Sequence, residues 1–271
     1  MTPPAVRADR PPLLLLHGFA DAPCTWDLLA PRLAAHHTLL APALAGHLGG
    51  PPLPDPPSAD ALVDAVEAQL DAAGHGTVDV VGSSLGGYLA LRLAQRGRAR
   101  SVVALAPAGG WGAGEGPGPA ATLDRQARLL ALARAGAAHA DVIAATPEGR
   151  RRATALVCER GEDLPARLVA ALVRAPAGCT GGPALIAAAR EHGWPLQAAA
   201  VRCPVRVVWG REDRLLPWPS AARRWQRELV GADWVELDGV GHCPQLDVPV
   251  ETAALVLEWT QPDLTSVSTP G

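Results

Sequence analysis

Ser84 lies between two glycines, in the segment Gly82-Ser83-Ser84-Leu85-Gly86 that fits the pattern Gly-x-Ser-x-Gly. A serine hydroxyl is a poor nucleophile at neutral pH unless a base lies within hydrogen-bond reach. The motif follows an apolar run at 78–82 and precedes an Ala- and Leu-rich stretch typical of a helix. The sequence therefore predicts a sharp strand–turn–helix bend that exposes Ser84 as a nucleophile. Ser83 lacks the flanking glycines and is interpreted as a small packing residue.

Three other apolar runs, each predicted to be a strand, end in loops that carry polar residues. In chain order these residues are His17, Asp213 and His242. Open α/β sheets place their functional residues in loops at the carboxyl ends of strands, so these side chains should gather near Ser84. A histidine can take the serine proton while a carboxylate fixes the tautomer of that histidine. The order Ser84, Asp213, His242 therefore predicts a catalytic triad.

With these motifs in register, the chain resembles the α/β-hydrolase superfamily over about residues 12–260. The resemblance implies an acyl-transfer site with its base after its acid in the chain, which favours His242 over the histidines that precede Ser84 or lie within 111–195. The family usually begins with an antiparallel hairpin. Only about a dozen Pro-rich residues precede the first strand here, so we expect that hairpin to be missing or vestigial.

Glu212 and Asp238 compete with Asp213 for the role of the acid. Glu212 lies one residue early in its turn, whereas Asp238 ends the strand nearest to His242 and could substitute. Asp213 is the preferred assignment, because it ends the Gly-x-x-Asp turn that follows the strand.

The backbone N–H groups of Phe19 and Leu85 are predicted to stabilise the negative charge that develops on a carbonyl oxygen. Phe19 follows His17-Gly18, and Leu85 follows the nucleophile. His17 itself is predicted to brace this loop through hydrogen bonds. Candidate walls of a substrate pocket, with core packing as the alternative, are Trp111, Trp194 and Trp218.

Composition excludes several function classes. All 24 basic residues are arginines, so chemistry that needs a lysine, such as a Schiff base or a phosphate loop ending in Lys, is excluded. A net charge of −3 and a pI near 6.2 do not favour nucleic acid as a partner. Five scattered cysteines lack metal-ligand spacing and indicate a reducing compartment. We expect no cofactor and no metal.

The periodicity predicts an α/β fold with a mostly or wholly parallel sheet of about six strands, flanked by helices, because short apolar runs alternate with helical patterns. The predicted strands are 12–16, 38–41, 78–82, 102–106, 205–209 and 233–237, and the predicted helices 25–35, 58–73, 85–97, 218–230 and 247–260. Residues 1–110 and 196–271 are predicted to form the core. Residues 111–195 lack strand patterns and are predicted to form an inserted, all-helical cap over Ser84. Its four helical patterns lie near 120–145, 147–159, 164–174 and 182–192.

These features predict a serine hydrolase that cleaves a small or medium, largely apolar carboxylic ester, lactone or thioester through an acyl-enzyme. A cofactor-free haloperoxidase or perhydrolase and a carbon–carbon bond hydrolase remain alternatives. Carbon–carbon bond hydrolases typically carry a Gly-rich loop after His-Gly and a supporting Asn, and this chain contains no Asn. A ligand-binding receptor or a non-hydrolytic biosynthetic member of the fold is the alternative of another class, because fold does not fix function.

The expected partner is a small-molecule substrate, with no nucleic acid and no membrane. We expect a monomer or homodimer in the cytoplasm, since the sequence has neither a signal-like segment nor a run long enough to span a membrane.

Overall fold

A wholly parallel, six-stranded sheet lies at the centre of the computed structural model, which describes residues 10–114 and 117–261. The strands are β1 (Pro12–Leu16), β2 (Thr38–Leu40), β3 (Val78–Ser83), β4 (Ala99–Leu105), β5 (Trp111–Gly112), β6 (Gly193–Trp194), β7 (Val205–Gly210) and β8 (Asp233–Leu237). The sheet has the order β2-β1-β3-β4-β7-β8, and every neighbouring pair is parallel. The predicted six-stranded parallel sheet is confirmed.

Helices cover both faces of this sheet. They are α1 (Ala30–Leu33), α2 (Ala59–Ala72), α3 (Leu85–Gln95), α4 (Pro117–Gly136), α5 (Ala140–Ala145), α6 (Pro147–Thr154), α7 (Ala166–Gly178), α8 (Gly182–His192), α9 (Ala222–Glu228), α10 (Pro244–Asp247) and α11 (Pro249–Thr260), with 3-10 turns at Pro23–Trp26, Ala137–His139, Gly161–Asp163 and Ala198–Ala200. Leu13 and Leu15 of β1 pack into the layer that contains α11. Leu14 and Leu16 pack into the opposite layer with α2 and α3. A strand buried on both faces explains why β1 is an unbroken apolar run.

The direction of the connections reverses beside β1, which has β2 on one side and β3 on the other. Loops at the carboxyl ends of two strands diverge at such a point and leave a crevice between them. The loop after β1 contains Phe19, and the turn after β3 contains Ser84. The topology alone therefore brings these two residues to one crevice.

Strand β4 begins at Ala99, three residues before the predicted start at 102. The residues Arg100 and Ser101 are polar, which hid this part of the strand from an apolar pattern. Both donate hydrogen bonds to the buried Asp79 of β3, at 3.1 Å from Arg100 Nε and 2.7 Å from Ser101 Oγ. The carboxylate satisfies the polar groups of the neighbouring strand.

Three predicted helices are several residues shorter in the structure, and one of them, 147–159, ends at Thr154 as α6. The stretch 25–35 forms a 3-10 turn followed by the four-residue α1, because Pro31 lacks an N–H and starts a new helix. The stretch 218–230 yields α9 only from Ala222, after Pro217 and Pro219.

Between β5 and β6 the chain forms five helices, α4 to α8, rather than the four predicted. The stretch 120–145 is divided at Gly136, where α4 ends in a 3-10 turn before α5. Glycine is a poor helix former, which explains a break at this residue. Helices α5 and α7 form a separate cluster around Ala144, Leu168 and Val169, which includes Cys243 and Leu246 from the segment after His242. Helices α4 and α8 instead pack into the core layer that contains α2 and α3.

The expectation that 111–195 contains no strand is wrong at its two ends. Trp111–Gly112 pairs with Gly193–Trp194 in a two-residue antiparallel ladder. Gly193 has φ +66°, and a Cβ there would lie 2.4 Å from the carbonyl carbon of Gly112. Only glycine allows this close approach. The ladder joins the point where the chain enters the helical insertion to the point where it leaves.

The hairpin that the sequence predicts to be missing falls on residues before β1, of which 1–9 lie outside the described residues. Within the described ranges, no single helix is long and apolar enough to cross a membrane, and only the bent pair α7 and α8 meets the requirement for length and composition.

Candidate active site

Ser84 occupies the turn between β3 and α3 with a positive φ of 54° and ψ of −113°. A non-glycine residue in this region carries backbone strain, which is concentrated at functional sites. The turn is held on both sides, because Ser84 N–H donates to Leu105 O at 2.9 Å and Ser84 O accepts from Ala108 N–H at 3.0 Å. A Cβ at Gly82 would lie 2.1 Å from Gly86 O. The strand and the helix pass this closely only because residue 82 is glycine.

His242 and Asp213 come from different strand-end loops and share a hydrogen bond. His242 Nδ1 lies 2.7 Å from Asp213 Oδ2, and both side chains are buried. The other carboxylate oxygen, Asp213 Oδ1, accepts from the N–H groups of Leu215 at 2.9 Å and Leu216 at 2.8 Å. Three donors therefore fix the carboxylate, and the carboxylate in turn orients the imidazole ring with Nε2 available for another partner.

The competing carboxylates do not reach the ring. Asp238 is exposed and pairs with Arg211 Nη1 at 2.9 Å, and Glu212 is an exposed loop residue. Of the three candidates, the structure brings only Asp213 to His242.

Ser84 and His242 lie on the wall of one cavity but share no hydrogen bond in the structure. His242 Nε2 is buried and has no partner among the described residues. Catalytic hydrogen bonds are often long or misaligned before substrate binds, so this separation is compatible with proton transfer in a complex.

Phe19 and Leu85, whose backbone N–H groups are predicted to bind an oxyanion, line the smaller cavity together with Ser84. Leu85 begins α3, and Phe19 follows the loop after β1. Within the described part of the chain, neither N–H donates to a backbone or side-chain acceptor. Free donors at a helix N-terminus beside a nucleophile suit a developing negative charge.

His17 braces this loop, as predicted. Its Nδ1 lies 2.9 Å from Gly18 O, and its Nε2 accepts from Leu44 N–H at 3.0 Å. These partners require a neutral ring with the proton on Nδ1. Burial first, and then the nearby His47, lower the pKa of His17 from 6.5 to about 3. The ring remains neutral and cannot act as a base that becomes protonated near pH 7.

The larger of two cavities at this site has a volume of about 680 Å³. Ser84 and His242 lie on its floor together with Phe19. Its roof is mainly apolar and comes largely from α4 and α7, with Gln126, Arg152 and Thr154 as polar members; the aliphatic residues there are Leu129, Leu130, Leu132, Leu172 and Val173. The cavity lies between the helical insertion and the sheet, where such folds bind ligands.

A smaller cavity of about 50 Å³ also contacts Ser84. Trp111 and Trp194 line it, and so does Leu85. Ser84 therefore lies between two cavities, because Leu85 lines the smaller one and His242 the larger.

Trp218 lines neither of these two cavities. Its ring lies 6.4 Å from that of Trp209 and packs against the core layer that contains α3. Aromatic character alone did not distinguish the two environments.

Asp21 is a carboxyl group in the larger cavity that the sequence reasoning missed. Burial raises its pKa from 3.8 to about 6, against the opposing effect of the hydrogen bond from Ala22 N–H to Oδ1 at 2.7 Å. The nearby His242 also opposes this rise. Asp21 lies two residues beyond Phe19 and is partly open to the cavity.

Asp247 was also missed. Its Oδ2 accepts from Gly241 N–H at 2.8 Å, and its Oδ1 accepts from the N–H groups of Glu159 at 2.7 Å and Arg160 at 3.0 Å. The Cys158 thiol donates to the same Oδ1. Cys158, Glu159 and Arg160 lie 87 to 89 residues away, so no local pattern could reveal these contacts.

Gln245 supports Ser83, which is buried as predicted. Gln245 Nε2 donates to Ser83 Oγ at 3.1 Å and to Thr25 Oγ1 at 3.3 Å. Cys243 is buried, and burial raises the pKa of its thiol well above 9.0. The thiol therefore remains protonated and packs as a small apolar group. No cluster of potential metal ligands occurs among the residues that the structure describes.

A sequence model of the alpha/beta hydrolase family matches residues 13–255 of the chain. An epoxide hydrolase of Mycobacterium tuberculosis, EphH, is 31% identical over 207 residues, which are 75% of this chain and 95% of that protein. A pimeloyl-[acyl-carrier protein] methyl ester esterase of Aromatoleum aromaticum is 32% identical over 259 residues, which are 92% of this chain and 97% of that protein.

Solved structures agree on the fold. A thermophilic esterase from Thermogutta terrifontis superposes with a TM-score of 0.70 at 21% identity, covering 97% of this chain and 92% of that one. At this identity the similarity establishes the architecture, while the chemistry depends on the residues of this chain.

Proposed function

This chain belongs to the α/β hydrolase family, and from that membership we propose that it is a serine hydrolase acting on carboxylic esters, lactones or thioesters. The proposed catalytic residues are Ser84 as nucleophile, His242 as general base and acid, and Asp213 as the orienting carboxylate. The observation that carries the proposal is the 2.7 Å contact between His242 Nδ1 and Asp213 Oδ2, on the wall of the cavity that also contains Ser84.

The proposed reaction has two halves. Ser84 Oγ attacks the carbonyl carbon while His242 Nε2 takes the hydroxyl proton, and the N–H groups of Phe19 and Leu85 stabilise the oxyanion. The carbon–oxygen bond to the alcohol then breaks, and the alcohol leaves with the proton from His242. Water attacks the acyl-enzyme with His242 again as base, which releases the acid and restores Ser84.

The nucleophile argues against epoxide opening, although one relative is an epoxide hydrolase. Attack by Ser84 Oγ on an epoxide carbon would leave an ether, which has no carbonyl for water to attack. An acyl group on Ser84 is an ester, and water can hydrolyse it at its carbonyl carbon. The same site could also serve perhydrolysis or carbon–carbon bond cleavage, which proceed from the same triad.

The expected substrate is a small, largely apolar molecule, because the roof of the larger cavity is mainly aliphatic. The five cysteines are unpaired, which fits the reducing cytoplasm as the proposed location.

A fluorophosphonate probe tests the nucleophile. Intact-protein mass spectrometry with peptide mapping should find one adduct on Ser84, and turnover of p-nitrophenyl acetate should disappear in the labelled protein. Ser84→Ala should lower kcat by roughly 10⁴-fold or more with the fold retained. Ser83→Ala is the matched control and should remain active and reactive. Labelling of Ser83, or a fully labelled protein with undiminished turnover, would remove Ser84 from its role. A protein that binds such esters without turning them over would be a receptor.

A further inference from the structure

We infer that this hydrolase selects esters of a short acyl group with a bulky, apolar alcohol, with the acyl group in the smaller cavity and the alcohol in the larger one. The inference rests on the proposed function and specifies its substrate class. The inference follows from the position of His242, which lines the larger cavity and not the smaller one.

The two cavities meet above the nucleophile. Ser84, Phe19 and Gln126 line both of them. An ester whose carbonyl carbon lies at Ser84 Oγ therefore has two spaces for its two substituents. The chemistry of the site decides which substituent enters each space.

The alcohol must lie on the side of His242. In the first half of the reaction the leaving oxygen takes a proton from His242 Nε2, so that oxygen must be within hydrogen-bond reach of the ring. His242 lines the larger cavity and is absent from the walls of the smaller one. The remainder of the alcohol extends from the leaving oxygen into the larger cavity.

The acyl substituent is directed the other way. The carbonyl oxygen faces the N–H groups of Phe19 and Leu85, and the alcohol oxygen faces His242. Ser84 Oγ is the third substituent of the tetrahedral carbon and the acyl chain is the fourth. Because the alcohol takes the larger cavity, the space that remains beside Ser84 for the acyl chain is the smaller cavity.

The volume of the smaller cavity limits the acyl group. At roughly 10–15 Å³ for each water-sized group, about 50 Å³ accepts about four such groups, which corresponds to acetyl through butyryl. Its walls resist expansion because Leu185, Ile186 and Trp194 are all buried. Leu185 and Ile186 belong to α8, and Trp194 belongs to the ladder that closes the insertion.

The larger cavity imposes no such limit on the alcohol. Its volume of about 680 Å³ is more than ten times that of the smaller cavity. Leu132, which lines it, is 70% exposed, so this cavity reaches the solvent. A long or branched alcohol can extend along the aliphatic roof toward that opening.

Two isomeric esters test the assignment directly. Hexyl acetate and methyl heptanoate contain the same atoms and carry the hexyl chain on opposite sides of the ester group. We expect kcat/KM for hexyl acetate to exceed that for methyl heptanoate by about tenfold or more, as expected when a chain does not fit its pocket. The purified full chain and acid release at constant pH suffice for this measurement.

Variants of the smaller cavity test whether its walls limit the length of the acyl group. Ile186→Ala should extend the accepted p-nitrophenyl esters from butyrate toward octanoate, whereas Ala189→Leu should abolish butyrate turnover and retain acetate turnover. Ala189 lines the smaller cavity alone, so this second variant tests the same wall by filling it. Val173→Ala is the matched control: it changes the wall of the larger cavity alone and should leave the acyl range unchanged.

The outcomes separate the two proposals. A preference for methyl heptanoate in a turning-over enzyme, or an acyl range extended by Val173→Ala rather than by Ile186→Ala, would overturn the orientation and leave the proposed function in place. Absence of turnover for both isomers would overturn the proposed function and the orientation with it.

Discussion

Asp247 holds the residue that precedes the base: its Oδ2 accepts a hydrogen bond from Gly241 N–H at 2.8 Å. The same carboxylate binds the N–H groups of Glu159 and Arg160 at the end of the loop that follows α6. The loop that carries His242 and the helical insertion are therefore tied to one buried carboxylate. A displacement of the insertion would be transmitted to the base.

Asp247→Asn should lower kcat by about 10- to 100-fold, because an amide presents a donor where the carboxylate met only donors and His242 would be displaced. The free energy of unfolding should fall by about 1–3 kcal/mol, as for a buried group left without its partner. Steady-state kinetics and urea unfolding measure these effects. Asp238→Asn, at an exposed carboxylate, is the control. An unchanged kcat in the folded variant would separate Asp247 from the positioning of His242.

Asp213→Asn should reduce kcat/KM by roughly 10⁴-fold, because the amide favours the wrong tautomer of His242. Asp238→Asn should change kcat/KM by less than about twofold, since Asp238 pairs with Arg211 at the surface. Both variants keep the shape of the side chain, so the comparison isolates the contact with His242. A larger loss in Asp238→Asn would show that the acid is misassigned.

His17 should make the folded protein sensitive to acid. Its pKa is about 3 in the folded state and 6.5 in the unfolded chain, so the unfolded chain binds the extra proton. Its contribution to stability is therefore complete above about pH 6.5 and is lost as the pH falls toward 3. Urea unfolding at pH 7.5 and 5.0 should show a smaller loss of stability in His17→Gln than in the wild type. The exposed His139→Gln should follow the wild type, and equal slopes in all three proteins would contradict this role.

Asp21 should change the pH dependence of stability in the direction opposite to that of His17. Its pKa of about 6 lies above the usual 3.8, so the folded protein retains the proton longer than the unfolded chain. Its contribution is present below about pH 4 and is lost as the pH rises through 6. Relative to the wild type, Asp21→Asn should therefore gain stability between pH 4.5 and pH 7.5. Asp27→Asn is the exposed control, and a constant difference between Asp21→Asn and the wild type across this range would refute the prediction.

The sequence predicted the parts of this site that depend on local pattern. Ser84, Asp213 and His242 each follow a short apolar run, so the strand ends that carry them can be recognised in the sequence. Contacts between residues far apart in the chain could not be predicted in this way: Asp247 has no distinguishing pattern around it, and only the folded chain brings it to Glu159 and Arg160. Hydrophobicity marks a residue as buried without saying where, which is why Trp194 lines a cavity and Trp218 packs in the core.

Very short strands cannot be recognised from the sequence pattern. Trp111–Gly112 and Gly193–Trp194 contribute two residues each, too few to show the alternation that marks a strand. Their pairing depends on the positive φ of Gly193, and nothing in the sequence separates this glycine from the other 27.

The ladder between Trp111 and Trp194 holds the first and last residues of the helical insertion next to each other. The two ends of the insertion are therefore fixed beside each other, while its body packs on the core, where Leu130 of α4 and Leu185 of α8 lie in the layer with α3. A replacement segment would have to join both ends of this ladder and also supply the N–H groups that Glu159 and Arg160 donate to Asp247. The same stretch of chain therefore shapes the larger cavity and helps to position the base, so a change that reshapes this cavity can also act on His242.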